Sequence, residues 1–376
     1  MIHRRVLRFL VLAPLMLGAC STPAERDGDS ASPGTAARPV DAPAPAFDPA
    51  GMTPIGEDRP IRIVATIGQI ADLALAIGGT RVAVTQIVPG GDDPHRYVPT
   101  PRDVAALAAA DVVLYNGLFL EAQMGETFEQ MAGYGIPAVP VTSGFDLAAL
   151  RQREYEPGRM VTDPHVWFDP GLWAGAADNV LAVLSALAPE HAADFEARAE
   201  DLAGQMDALA AWGRATMATV PEDQRVLVTS HDAFGYFGDA FGIDVRGLQG
   251  FSTETEAGTR DIEALSAFLA EQRVPAVFVE ASVSPEALQA VIEAAQAGGH
   301  TVRVGGELFS DTPGAEGTAE GSYVGMVLWN VATVAAALGG TPDADLPPGV
   351  SNDPRFEYAP LVAEAVRRTA EREHAP

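Results

Sequence analysis

Short apolar runs alternate with segments of helical periodicity along most of this chain. Such alternation predicts an α/β protein built from βαβ units with parallel sheets. The runs form one set in each half of the sequence, and we therefore expect two (β/α) lobes. The predicted strands are Ile61–Ile67, Val82–Val88, Val112–Asn116 and Pro137–Val141 in the first half, and Arg225–Ser230, Ile243–Gly247, Ala276–Ala281 and Thr301–Val304 in the second.

Between the two sets lies a segment, from Pro189 to about Met217, that contains no proline after its first residue. At 1.5 Å per residue it would form a helix about 40 Å long. We predict a single rigid helix that joins the two lobes; the alternative is a surface helix interrupted at Gly204 or Gly213. Large apolar residues recur at helical steps along one face of this segment: Phe195, Leu202, Met206, Leu209 and Trp212.

Residues 1–19 have the pattern of a lipoprotein signal peptide. Three arginines precede an apolar run that is shorter than the ~20 residues needed to span a bilayer. Cys20 is the only cysteine, and its position resembles the lipobox of bacterial lipoproteins, where this residue carries the lipid anchor. In the alternative, an ordinary signal is cleaved and Cys20 is incidental. Both alternatives predict that the protein leaves the cytoplasm and lies in the periplasm or at the extracytoplasmic face of a membrane.

Residues 20–58 are rich in Ala, Pro and Asp, and this composition predicts a flexible tether. We expect the rest of the chain to divide into an N-terminal lobe of residues 59–188, a linking helix of residues 189–217 and a C-terminal lobe of residues 218–376. The formal net charge of −27 argues against a nucleic-acid partner, because such binding requires cations that neutralise phosphates.

Two of the seven histidines stand in identical tripeptides, Asp93-Pro94-His95 and Asp163-Pro164-His165. The proline fixes a backbone angle in front of each histidine. The aspartate could accept a hydrogen bond from the ring nitrogen that does not face a ligand, as the outer partners of metal-bound histidines do. Either histidine alone could be an ordinary exposed loop residue, but the repeated pattern favours a metal site.

The other candidate ligands are placed by the predicted strands. Ligands of open α/β sheets gather outside the carboxyl ends of the strands. His95, His231 and Asp311 each follow a predicted strand, directly or after a pair of glycines, and His165 lies in a loop just before the long helix. All four side chains can therefore converge on one crevice between the lobes.

These residues stand in motifs that resemble those of the zinc- and manganese-binding receptors of bacterial ABC transporters (solute-binding protein family 9, TroA-like). The similarity extends over residues 60 to 370, in the order and spacing of that family. The segment Tyr115–Glu121 resembles the one that follows the family's first ligand motif. The four motifs that resemble its ligand motifs are Asp92–Pro101, Asp163–Asp169, Ser230–Phe237 and Gly305–Asp311.

The resemblance implies two lobes joined by one long helix, with a metal ion held between them and delivered to a membrane permease whose ATPase subunit hydrolyses ATP. It carries over the ligands His95, His165, His231 and Asp311. Three imidazoles and one carboxylate suit zinc or manganese, whereas a hard cation such as calcium would need six or more oxygens. The residues expected to hold ligands in place or to close the lobes are Asp93, Asp163 and Glu280.

Three other functions compete with a monomeric metal receptor. A zinc hydrolase could use the same histidines, but catalytic zinc keeps one position for water and the chain lacks a His-Glu-x-x-His helix. We therefore expect no enzymatic activity. An adhesive surface lipoprotein would suit the tether but would leave the four ligands without a role. A receptor for haem or a siderophore would favour a cleft lined by aromatic residues and arginine.

Overall fold

A computed structural model describes residues 47–373 of the chain. The first lobe is built on a parallel sheet with the strand order β2-β1-β3-β4. The helices α1 to α3 connect or flank these strands. The elements are β1 Ile61–Ala65, α1 Gly68–Gly78, β2 Val82–Gln86, α2 Pro101–Ala109, β3 Val112–Tyr115, α3 Gly125–Gly133 and β4 Ala138–Pro140.

An antiparallel hairpin, which the apolar pattern did not predict, follows the first sheet. Its strands are β5, Gln152–Glu156, and β6, Arg159–Thr162. Helix α4, Pro170–Leu187, then separates this hairpin from the long helix. The expectation that His165 lies just before the long helix is therefore wrong, because the 18 residues of α4 intervene.

The long helix α5, Ala192–Met217, is continuous over 26 residues and follows a single 3-10 turn. Neither Gly204 nor Gly213 interrupts it, so the interrupted alternative is wrong. Gly213 has a packing role, since a Cβ at this position would stand 2.3 Å from the ring of Phe241. Helix α5 packs against α1 and α4, which precede it in the chain, and also against helices of the second lobe, which follow it.

The second lobe contains two parallel strand pairs, β7 with β8 and β9 with β10. Strand β7 lies beside β9. Among residues 47–373, no helix is long and apolar enough to cross a bilayer. The elements are β7 Val226–His231, α6 Gly235–Phe241, β8 Asp244–Gln249, α7 Thr259–Gln272, β9 Ala276–Glu280, α8 Glu286–Ala297, β10 Arg303–Leu308, α9 Tyr323–Ala337 and α10 Ala359–Glu373.

The predicted α/β fold with two lobes, parallel sheets and one long connecting helix is confirmed. All the predicted strands are present, and the largest difference concerns β10. The pair Gly305-Gly306 was expected to follow this strand but lies inside it. A Cβ on Gly306 would stand 2.3 Å from Cγ2 of Thr333 in α9. The glycines therefore allow α9 to pack closely on β10.

One hydrophobic core runs through the first sheet, α4, α5 and α9, and includes residues of both lobes. A smaller core belongs to the second lobe alone, where α7 and α8 cover strands β7 to β9. Trp167 and Trp173 are among the largest fully buried side chains of the shared core. The loops that carry the candidate ligands are therefore supported by packed side chains that both lobes supply.

Candidate metal centre

The structure brings all four predicted ligands together. His95, His165, His231 and Asp311 are buried, and each offers one ligand atom within 4.8 Å of the atoms that the other three offer. The expected convergence between the lobes is therefore observed. Within the described residues a second group of possible ligands, formed by Glu57, Glu190 and His191, is largely exposed.

The spacing of the ligand atoms is that of a small coordination shell. Nε2 of His165 lies 3.3 Å from Nε2 of His95 and 3.3 Å from Oδ1 of Asp311. Nε2 of His231 lies 3.2 Å from the same carboxylate oxygen. A tetrahedron with a metal about 2.0–2.1 Å from each corner has edges of about 3.3 Å. Three edges of the cluster therefore already have the length that a tetrahedral ion requires.

The two Asp-Pro-His turns place their histidines by a shared backbone contact. The Oδ1 atom of Asp93 accepts the N–H of His95 at 2.9 Å, and that of Asp163 accepts the N–H of His165 at 3.1 Å. Asp163 also lies 2.8 Å from Nδ1 of His165, as expected, so that Nε2 faces the cluster. For Asp93 the expected ring contact is wrong, because its second oxygen accepts the hydroxyl of Thr253 at 2.5 Å.

His231 is the last residue of β7, and a carboxylate of the neighbouring strand fixes it. Its backbone N–H donates to Oε1 of Glu280 at 2.8 Å, and its Nδ1 lies 2.5 Å from Oε2 of the same residue. Both residues are buried. Glu280 at the end of β9 therefore holds the imidazole from behind and leaves Nε2 facing the cluster.

Asp311 follows β10 in a segment that both lobes hold. Nε2 of Gln69, in α1, donates to the backbone oxygen of Asp311 at 3.1 Å. Nε1 of Trp167 donates to the preceding carbonyl, that of Ser310, at 3.0 Å. The hydroxyl of Ser282 donates to Oδ2 of Asp311 at 3.2 Å, which leaves Oδ1 directed at the histidines.

The segment Tyr115–Glu121 has a role that the sequence did not reveal. The buried Oε1 of Glu121 accepts the hydroxyl of Thr66 at 2.6 Å and the backbone N–H of Asn116 at 2.7 Å. The side-chain NH2 group of Asn116 donates to the carbonyl of Pro164 at 3.0 Å. This network supports the turn that presents the next residue, His165, to the cluster.

The two histidines from the first lobe differ in basicity. Burial lowers the pKa of His95 to about 3. Burial acts in the same direction on His165, but hydrogen bonds and charge from Asp163 and Asp311 outweigh it and raise the pKa of that imidazole. In the metal-free protein His165 is therefore the more basic of the two imidazoles, and His95 is neutral at neutral pH.

His231 and Asp311, the two candidate ligands from the second lobe, shift each other's pKa. Burial opposes the charged form of His231, but the carboxylates of Asp311 and Glu280 raise its pKa well above the ordinary value. Burial likewise acts to raise the pKa of Asp311, but the neighbouring imidazoles hold it well below the usual range. A divalent cation that replaced the protons of the imidazoles would interact with the same ionised carboxylate of Asp311.

The donor atoms suit a borderline dication. Nε2 of His231 and Oδ1 of Asp311 are buried and have no hydrogen-bond partner among the described residues, although they are close together. Such atoms normally have partners when buried, so their orientation is explained if both face a common ion. Three imidazole nitrogens and one carboxylate oxygen are ligands that zinc and its neighbours in the first transition row accept.

Two α/β lobes that meet at a buried metal-binding cluster, with one long helix beside both, define a solute-binding protein with a metal ion as its cargo. The chain belongs to the family described as "Zinc-uptake complex component A periplasmic" (ZnuA), whose sequence model matches residues 63–337. The resemblance that the four motifs suggested is thereby confirmed.

Individual relatives agree with this assignment. The chain is 42% identical to the zinc-binding protein TroA of Treponema pallidum over 281 residues, which are 73% of this chain and 88% of the relative. It is also 42% identical to the manganese-binding lipoprotein MntA of Bacillus subtilis over 282 residues, 75% of this chain and 90% of that one. The solved structure of the Treponema protein superposes with a TM-score of 0.70 over 74% of this chain and 99% of its own.

Proposed function

We propose that this chain is an extracytoplasmic receptor that captures zinc or manganese and delivers it to the permease of an ABC transporter. The observation that carries the proposal is the buried cluster of His95, His165, His231 and Asp311. In this proposal the four side chains are the ligands, and the ion is transported cargo. Both lobes supply ligands, so a bound ion would link them.

The chemistry of the cluster supports a transition metal. Calcium and magnesium prefer six or more oxygen ligands, whereas this cluster offers three nitrogens. The 3.2–3.3 Å separations suit the short bonds of zinc, and intrinsic affinity also follows the order zinc above manganese. Relatives with equal identity are named for zinc and for manganese, and the proposal therefore keeps both metals as cargo.

Location and partners follow from the family. As the binding component of an uptake complex, the receptor would meet a permease and, through it, the ATPase subunit. We propose residues 1–19 as the signal peptide, Cys20 as the lipidated residue and residues 20–58 as the tether of a monomeric receptor. Most of this region lies outside the described residues. The proposed lobes are residues 59–188 and 218–376, with residues 189–217 between them.

An enzymatic role has less support. The matching relatives carry names of metal-binding proteins and lipoproteins, and the family is one of uptake components. A catalytic zinc site has three protein ligands and an open position for water, whereas here four protein side chains surround one point. The proposal therefore assigns binding and release to this chain, and ATP hydrolysis to a partner.

Metal binding can be tested by thermal melting of the metal-free protein with and without zinc or manganese. A ligand that binds only the folded state stabilises it by about 4 kcal/mol at a thousandfold excess over Kd. We expect a clear rise in melting temperature and one ion per chain by elemental analysis. Identical melting curves with either metal would contradict the proposal.

A pair of histidine variants tests the ligand assignment. His231→Ala removes one proposed ligand, and we expect a loss of zinc affinity beyond the roughly 10- to 100-fold that indirect partners of a site cause. His300→Ala is the matched control, because this half-buried histidine contacts the carbonyl of Val274 and stands outside the cluster. Comparable losses in the two variants would contradict the assignment of His231.

A further inference from the structure

A segment of the second lobe reaches across to the first. Residues 250–257 follow β8, and two neighbouring side chains of this segment contact three separate parts of the other lobe. The hydroxyl of Thr253 donates to Oδ2 of Asp93 at 2.5 Å. One carboxylate oxygen of Glu254 accepts a hydrogen bond from Nε2 of Gln123 at 2.8 Å, and the other accepts one from the hydroxyl of Tyr155 at 2.5 Å.

The segment is packed against the protein at its start. Phe251, Ser252 and Thr253 are buried, and the ring of Phe251 lies 6.4 Å from that of Tyr155 in the hairpin. Further along, Thr255 and Glu256 are exposed. The cross-lobe contacts therefore come from the buried Thr253 and the half-buried Glu254 beside it. All three hydrogen bonds end on carboxylates, which makes them stronger than bonds between neutral groups.

The contact at Thr253 continues to a ligand. Asp93 accepts the hydroxyl of Thr253 with one oxygen and the backbone N–H of His95 with the other. The rings of the other histidines are oriented differently, because Asp163 holds His165 within the first lobe and Glu280 holds His231 within the second. The turn that carries His95 is thus tied to a hydroxyl from the opposite lobe.

We propose that residues 250–257 form an interlobe clasp, in which Thr253 positions His95 through Asp93 and, together with Glu254, limits the rate of metal release. This inference rests on the proposed function, because it concerns the same site. When the lobes separate at this edge, the three hydrogen bonds of the clasp break together. When only the bond of Thr253 is absent, Asp93 loses its hydrogen bond to the second lobe, while the N–H of Gly91 still donates to Thr312 of that lobe.

The test measures the release of zinc from the loaded full-length protein into an excess of a chromogenic chelator, by stopped flow. Thr253→Val keeps the shape of the side chain and removes the hydroxyl. We expect release about tenfold faster, the effect of one hydrogen bond to a charged group. Thr253→Ser restores the hydroxyl and should release zinc at the wild-type rate. Thr255→Val is the matched control, since it makes the same exchange at an exposed position of the same segment.

A second readout separates positioning from a general loss of structure. The absorption spectrum of bound Co²⁺ reports the ligand set, and in Thr253→Val it should keep the wild-type shape because all four ligands remain. Should Thr253→Val fold poorly, Tyr155→Phe removes a single hydroxyl from Glu254 and is expected to speed release as well.

The inference is overturned if Thr253→Val and Tyr155→Phe bind zinc and release it at the wild-type rate, or if Thr255→Val speeds release as much as Thr253→Val. A wild-type protein that binds no zinc or manganese would instead contradict the proposed function. The two failures are therefore distinguishable in one set of experiments.

Discussion

Asp93 and Asp163 occupy the same place in identical tripeptides, yet they contact different groups. Asp163 is fully buried, holds the ring of His165 through Oδ1 and receives Nε of Arg153 at 3.1 Å on Oδ2. Asp93 contacts only the backbone of its histidine and directs its other oxygen to Thr253 of the second lobe. One aspartate therefore supports the ring of a proposed ligand, and the other connects the turn of a proposed ligand to the opposite lobe.

The difference shows that a short motif fixes the local turn but not the wider environment. In both tripeptides the aspartate accepts the N–H of the histidine two residues later, and this contact is set by the tripeptide itself. The remaining carboxylate contacts depend on what the fold brings near: the hairpin with Arg153 in one case, and the segment after β8 in the other. These distant groups determine how each histidine behaves.

The largest expected difference concerns the segments that follow the two tripeptides, residues 96–101 and 166–170, which we call their tails. Trp167 is fully buried and donates to the carbonyl of Ser310, whereas Val98 is 69% exposed. Trp167→Ala should cost about 3–5 kcal/mol of unfolding free energy, the usual effect of removing a large core side chain. Val98→Ala should change it by no more than about 0.5 kcal/mol.

Urea unfolding of the metal-free proteins in the presence of a chelator measures both values. Trp167→Phe serves as an intermediate variant, because it retains an aromatic ring and loses the hydrogen bond. If Val98→Ala and Trp167→Ala were equally destabilising, the two tails would have equivalent packing, and the contrast between the tripeptides would be restricted to their aspartates.

The sequence was sufficient for the strands of the parallel sheets, the long helix and the convergence of the four candidate ligands, because each has a local signal. Apolar runs mark buried strands, and strand ends place His231 and Asp311 at one edge. The hairpin that carries Arg153 was missed because β5, Gln152–Glu156, is polar and lacks an apolar alternation.

Other features were missed because they depend on groups far apart in the chain. The glycines of β10 have the composition of a turn, and only the approach of α9 explains them. The contact between Asp93 and Thr253 joins residues 160 positions apart. No periodicity or local motif encodes such a pair, so both the role of Asp93 and the segment after β8 required the folded structure.

The second prediction concerns protons. His165 and His231 have raised pKa values and His95 a pKa lowered to about 3, so zinc must displace protons from two imidazoles and not from the third. Zinc affinity should therefore fall as the pH drops below the raised values, by up to about 2.7 kcal/mol per pH unit for two protons. Titration calorimetry in buffers of different ionisation enthalpy counts the protons released.

The same shifts fix the sign of the stability change. A raised pKa in the folded state contributes stability to the metal-free protein below the ordinary pKa, and this contribution is lost as the pH rises through the raised value. The increase in melting temperature caused by zinc should therefore grow as the pH rises from about 6.5, the ordinary pKa of histidine, through the raised values. In NMR spectra of the metal-free protein at pH 6, His95 should be neutral and His165 protonated. Equal protonation of the two would remove the electrostatic contrast between the tripeptides.

The smallest expected difference comes from exchanging each aspartate for asparagine. Asp163→Asn replaces one carboxylate oxygen by an NH2 group that cannot accept a hydrogen bond, and it removes the negative charge between Arg153 and the His165 ring. The support of that ring is therefore weaker, and zinc affinity should fall about 10- to 100-fold. In Asp93→Asn the amide oxygen can still accept the N–H of His95, and the NH2 group can donate to Thr253 Oγ1. The loss should therefore be less than about tenfold. Competition with a chromogenic chelator at one pH measures both. Equal losses would mean that the two aspartates act on their histidines in the same way, whatever their other contacts.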